Sequence, residues 1–193
     1  MRKSSPIRRI LVESALIVFS ILVALAANQW NDSRKQHVLT ERALRGIRDE
    51  IVANANRLRK SRPYHYMLEG ETRVADSLKR VHSYADFKAA APNWSGFQNA
   101  TLESTAWQSA ITLGAVSNIG YDTVTTLSGL YALQAKFDQY ASDAIATFDF
   151  ADQTMPSTVR KMWVYFATVR TNEDTLLNRY SAALSLLGRR ATP

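Results

Sequence analysis

Residues 10–27 read ILVESALIVFSILVALAA, a run of 18 residues in which Glu13 is the single charge. At about 1.5 Å of rise per residue such a run makes a helix of roughly 27 Å, close to the roughly 30 Å hydrocarbon thickness of a bilayer. Arg2, Lys3, Arg8 and Arg9 precede it, Trp30 follows, and Arg34 and Lys35 stand just beyond. Cations and interfacial aromatics hold a span at its two water boundaries, so Arg8, Arg9, Trp30, Arg34 and Lys35 are the expected membrane anchors. A cleavable leader would share the basic start, and Ala24-Leu25-Ala26 imitates a processing site. Glu13 inside the run and Met1 at the head of the chain argue instead for an uncleaved span.

One face of the run is polar and small. At 100° per residue Glu13, Ser20, Ala24, Ala27 and Asn31 fall within a sector of about 60°, while Leu16, Phe19, Leu22, Val23 and Leu25 point elsewhere. Ser20 and Ala24 form a small-xxx-small pair, which lets two backbones approach closely enough to pack in lipid. An intramembrane carboxylate turns toward protein or water, which is satisfied by a partner helix or by Arg9 four residues earlier. These five residues are therefore the expected helix-packing interface, with other transmembrane helices or a second copy of the chain as partner.

Charge divides the chain. Residues 1–62 hold 13 Lys or Arg against 5 Asp or Glu, and residues 63–193 hold 11 against 12. The basic excess sits at the membrane end, where it suits anionic head groups. The pI of about 9.8 comes with no nucleic-acid-binding motif, so membrane lipids rather than nucleic acid are the expected contact. Lys and Arg flank the span on both sides; a short tail ahead of a first span normally stays in the cytoplasm, which favours an outward C-terminal domain. The organisation expected is a basic tail over 1–9, a transmembrane helix over 10–30 and a helical-bundle domain over 31–190.

Past the span the apolar spacing is helical nearly throughout. Val38, Leu44, Ile47, Ile51, Ala55 and Leu58 extend the first helix to about Lys60, where Ser61-Arg62-Pro63 is expected to break it. A second helix over about 64–83 would carry Met67, Val74, Leu78 and Val81 inward, and 89–96 reads as a loop. A short helix over about 103–113 ends at Gly114, and a longer one covers about 121–152. After Pro156 a last helix over about 157–187 carries Met162, Phe166, Val169, Leu176, Tyr180 and Leu187 at near-heptad spacing, with Gly188 as its cap. The fold class is all-α: a transmembrane helix continuing into an antiparallel bundle of about four helices, with roughly 160 residues to build one core.

The order Glu13, Ile21-Leu22-Val23-Ala24-Leu25, Asn28-Gln29-Trp30-Asn31-Asp32, Arg34-Lys35 resembles the N-terminal signature of a bacterial family of short single-pass membrane proteins, a domain of unknown function. Thr105, Trp107, Gly114, Val116 and Ile119, then Leu130-Tyr131, are similar to that family's central helix-turn-helix segment. Ala26-Ala27 departs from the family pattern, and residues 85–100 have no counterpart in it. The resemblance implies bacterial inner-membrane anchoring and a helical domain, and brings no activity with it.

Chemistry is sparse. Cysteine is absent, and His37, His65 and His82 fall on different segments without a ligand spacing, so no metal or cofactor is expected. The three histidines read as ordinary surface or interface residues. Asp49-Glu50 and Glu173-Asp174 are adjacent pairs whose members face different ways, which suits solvation better than shared acid-base work. No phosphate loop or nucleophile turn is present, and catalysis is not expected. Tyr64-His65-Tyr66 and Trp94-Ser95-Gly96-Phe97 read as aromatic caps of bundle ends, with a docking surface as the other reading. The functional expectation is an accessory subunit that packs on a larger membrane complex, for example a bioenergetic one; the alternative is a membrane-anchored sensory or ligand-binding bundle.

Overall fold

A computed structural model describes residues 6–189, and side chains over 13–188. The described residues are helices, turns and extended loops without a strand. Helix α1, Pro6–Leu78, runs 73 residues, about 110 Å of continuous rod. It begins within the stretch read as the basic tail and passes through the whole apolar run into the bundle.

The expected break at Pro63 is absent, because α1 continues through it to Leu78. Thr40, Leu44, Ile47, Ile51, Asn54, Leu58, Ser61, His65, Leu68, Thr72 and Ala75 recur in unbroken steps of four and three, and all are buried or half-buried. That is the heptad stripe of a helix packed along another helix. Pro63 lies on the exposed side, so its missing N–H leaves the Arg59 carbonyl at a hydrated surface. Packing on both sides of the proline offsets the roughly 3 kcal/mol it costs a helix interior. Reading 64–83 as a separate helix also put the wrong residues inside: Val74 and Leu78 are each 54% exposed.

The partner along that stripe is α5, Met155–Arg189, whose Met162, Phe166, Val169, Glu173, Leu176, Tyr180, Ala183 and Leu187 repeat the same steps and are all buried. The two run antiparallel. Arg170 pairs with Glu69, and Glu173 meets Ser61 and His65. Helix α5 starts two residues before its expected first residue, carries Pro156 in its first turn, where no N–H is needed, and continues through Gly188.

Between them the chain descends once and rises once, and α5 makes the last descent. Helix α2, Tyr84–Ala90, turns the corner beyond the distal end of α1; Ser83 accepts from the Asp86 N–H and Asp86 accepts from the Ser83 N–H, a capping box. The N–H of His82, then the hydroxyl of Ser83, hold the Asp86 carboxyl below its ordinary pKa. The returning leg is mostly extended chain, then α3, Thr105–Thr112, and a 3₁₀ turn over Ala115–Asn118. It tracks down α1 by successive bonds: Tyr64 to the Gly96 carbonyl, Asn54 to Glu103, Glu50 to the Ala106 N–H, Thr40 to the Ala115 carbonyl, and Asn118 to Gln36. Gly114 takes φ 69° between α3 and the 3₁₀ turn, a left-handed position that suits glycine. Helix α4, Tyr121–Ile145, then climbs beside α5. It stops short of the expected residue 152, because Phe148 and Phe150 fold back among Phe97, Trp94, Tyr84 and Tyr165 to close the distal end.

Candidate helix-packing and membrane surface

The described side chains from Glu13 to Gln36 are all exposed. Leu16, Ile17, Phe19, Leu22 and Leu25 are each at least 58% exposed and Trp30 is 69% exposed, a bare apolar surface of the kind that marks a protein or membrane contact. Within Glu13–Leu78 this is the stretch long and apolar enough to cross a membrane by length and composition, and none of that window is buried. Among the described residues it is one such helix.

Glu13, Ser20, Ala24, Ala27 and Asn31 occupy one side of this bare segment. Thr40, the first buried residue of the core stripe, stands about 180° around the helix from Asn31, so the small-residue face points away from the chain's own bundle. The Ser20 hydroxyl donates to the Leu16 carbonyl one turn back at 2.8 Å. That bond satisfies the hydroxyl within its own helix and leaves the face as a shape, not as a donor seeking a partner. Arg34 and Lys35 lie exposed where the helix emerges, Lys35 3.5 Å from Asp32. Arg8 and Arg9 lie in the helical backbone of α1, with side chains outside the described set.

The bundle interior carries polar chemistry that the spacing alone left unassigned. Asp49 and Asp174 are more open to solvent, whereas Glu50 is 8% exposed and Glu173 is fully buried. Glu50 accepts from the Tyr131 hydroxyl at 2.7 Å and the Ala106 N–H at 2.8 Å. Asn54 donates to the Glu103 carbonyl at 2.7 Å and accepts from the Glu103 N–H at 2.9 Å, while Gln134 donates to the same carbonyl and accepts from Tyr180. An extended leg cannot satisfy its own backbone, and these amides do it instead. Burial, reinforced by Glu50, raises the Tyr131 pKa; burial also raises that of Tyr180, so both hydroxyls stay donors.

His65 corrects the surface reading of the histidines, since it is 0% exposed. Its Nδ1 faces Glu173 Oε1 at 2.8 Å and its Nε2 faces the Phe97 carbonyl at 2.8 Å. Both ring nitrogens are thus engaged, one by α5 and one by the returning leg, which fixes the imidazole between them. Ser61 donates to Glu173 Oε1 at 2.9 Å and not to the ring, which is a locking cluster and not a nucleophile triad. A signal was available: Asn54, Ser61, His65 and Glu173 occupy positions that continued heptads assign to the core. His37 and His82 are exposed, and among the described residues no group of three or more His, Asp or Glu could hold a metal ion.

Tyr64 and the Trp94–Phe97 segment serve the bundle end. The Tyr64 hydroxyl donates to the Gly96 carbonyl at 2.5 Å and accepts from the Ser95 N–H at 2.9 Å, and Phe97 stacks against Phe148 and Phe166. These features define the class: an all-α protein with one exposed apolar helix that continues into a heptad-packed bundle. No protein-family model, curated protein or solved structure matches the chain.

Proposed function

We propose that this chain is a non-catalytic, single-pass membrane protein acting as an accessory subunit, its span packed on helices of a larger membrane assembly and its bundle standing on one surface. The observation that carries this reading is the continuity of α1. The bare apolar segment and the heptad core belong to one unbroken helix, so anything gripping the span also sets the position and angle of the bundle. Leu78 stands 48 residues beyond Trp30, about 72 Å along the axis, which suits a strut. The outward small-residue face, clear of the bundle, is free to meet a partner helix, and the buried carboxylates and histidine are spent on tying the four legs together.

In bacteria the reading corresponds to an inner-membrane protein, the anchoring that the resemblance of residues 13–35 implies, with a cytoplasmic N-terminus and a periplasmic bundle as the short tail ahead of the span favours. The deciding experiment is gentle-detergent extraction of the tagged protein from its native host, followed by size separation and mass spectrometry. Stoichiometric co-migration with a large membrane complex is expected. Migration as a lone monomer or homodimer would overturn the subunit reading and favour a sensory bundle.

A further inference from the structure

Where α1 emerges from its apolar run, Asn31, Arg34, Lys35, Val38, Leu39 and Arg42 line a surface hollow of about 470 Å³. Asn31, Arg34, Lys35, Val38 and Arg42 fall within about 100° of the helix circumference, on the face that carries Ser20, Ala24 and Ala27 below. The carboxylates nearest in sequence, Asp32 and Glu41, project off this stripe at about 100° and 280° when Asn31 is set at zero. Glu41 is engaged by His37 at 3.5 Å, and Asp32 meets Lys35 at 3.5 Å in a pair exposed on both sides, a contact worth little in water. Arg34 and Arg42 have no carboxylate within ion-pair reach among the described residues. Three cations thus converge on one hollow with one weak counter-charge.

We propose that this hollow seats, at its membrane end, the head group of an anionic phospholipid, with the phosphate held by Asn31, Arg34 and Lys35. The proposal rests on the membrane-spanning reading of residues 10–30. Depth selects lipid over an acidic protein partner. Arg34 and Lys35 lie seven and eight residues past Ala27, about 10–12 Å along the axis. The head-group layer is about 5–7 Å thick on each side, and helical side chains lean toward the N-terminus, which here is the membrane. Long Arg and Lys stems span that difference and carry their charges to phosphate depth.

The test uses the full chain reconstituted in phosphatidylcholine vesicles with or without phosphatidylglycerol. Flotation reports insertion, and mass spectrometry after mild extraction reports which lipid stays bound. Wild type should float and retain phosphatidylglycerol in preference to phosphatidylcholine. The double variant Arg34→Gln, Lys35→Gln should float equally and lose the preference, by about fivefold for each cation at the surface. The control Arg59→Gln, Lys60→Gln removes the same charge from exposed sites roughly 35–40 Å further out and should keep it. Floating wild type without a lipid preference, equal loss in the control, or displacement of the lipid by millimolar inorganic phosphate would each overturn the head-group seat while leaving the span intact. Failure of wild type to float would remove the membrane reading and this proposal together.

Discussion

The two halves of α1 are one helix with two kinds of surface. Over residues 14–27 the side chains are bare and, apart from Ser14 and Ser20, apolar; from Thr40 to Ala75 the same backbone carries a buried stripe that includes Asn54, Ser61, His65 and Thr72. In lipid a helix needs no apolar seam, because every direction is equally oily, and association depends on shape. In water the seam does the work and its polar positions choose the register, since each must meet its own partner across the interface. The lesson is that a polar residue marks the lower half as an exception and the upper half as an address.

The largest test of that contrast is His65→Leu, which leaves Glu173 buried without its partner. It should destabilise the bundle by about 3–5 kcal/mol in chemical denaturation of the full chain. The double variant His65→Leu, Glu173→Leu should recover most of the loss, and a double variant as unstable as the single would show that the pair is not what suffers. Leu58→Ala, in the same stripe, should cost about 2–5 kcal/mol by leaving a cavity against α5.

Pro63→Ala sharpens the comparison in the other direction. It restores an N–H in an exposed turn and should raise bundle stability by as much as about 3 kcal/mol, read as a shift of the denaturation midpoint. An unchanged or lower midpoint would mean that α1 uses the proline for a bend that packing requires.

Asp138 offers a smaller, pH-dependent effect. Burial pushes its carboxyl from 3.8 to about 6. The folded state therefore holds a proton that the unfolded state has released, and stability should fall as pH rises from about 4 to about 6, then level off. Asp138→Asn should flatten that part of the pH profile. The smallest effect belongs to the span: Ser20→Leu or Ala24→Leu should leave the bundle's denaturation curve unmoved while weakening co-migration with the host complex. A shifted curve would mean that the face touches the bundle after all.

The sequence was most readable where one physical rule acted alone. The length of the apolar run and its basic and aromatic borders marked the lower half of α1, and near-heptad spacing marked α5 almost to its ends. It was least readable where local and long-range effects opposed each other. Pro63 is a strong local breaker, and the stripe on either side of it overrode the break. The 84–90 segment carries a capping box in Ser83 and Asp86 that only becomes decisive once Phe87 has a core to enter. Of the candidate surface, Glu13, Ser20, Ala24, Ala27 and Asn31 could be grouped from periodicity, whereas the hollow that Arg34, Lys35 and Arg42 line needed the placed side chains.

By itself the sequence determined the helical class, the apolar segment, the charged border and the heptad content, because each follows from composition and period within a single helix. Only the tertiary structure decided that α1 is one rod through Pro63 that absorbs most of the expected second helix, that the leg after it is mostly extended, and which donors meet Glu50, His65 and Glu173 inside. Those outcomes depend on what stands opposite each residue. A proline is tolerated when neighbours hold the helix around it, and a carboxylate is buried when a donor from another leg is already aimed at it.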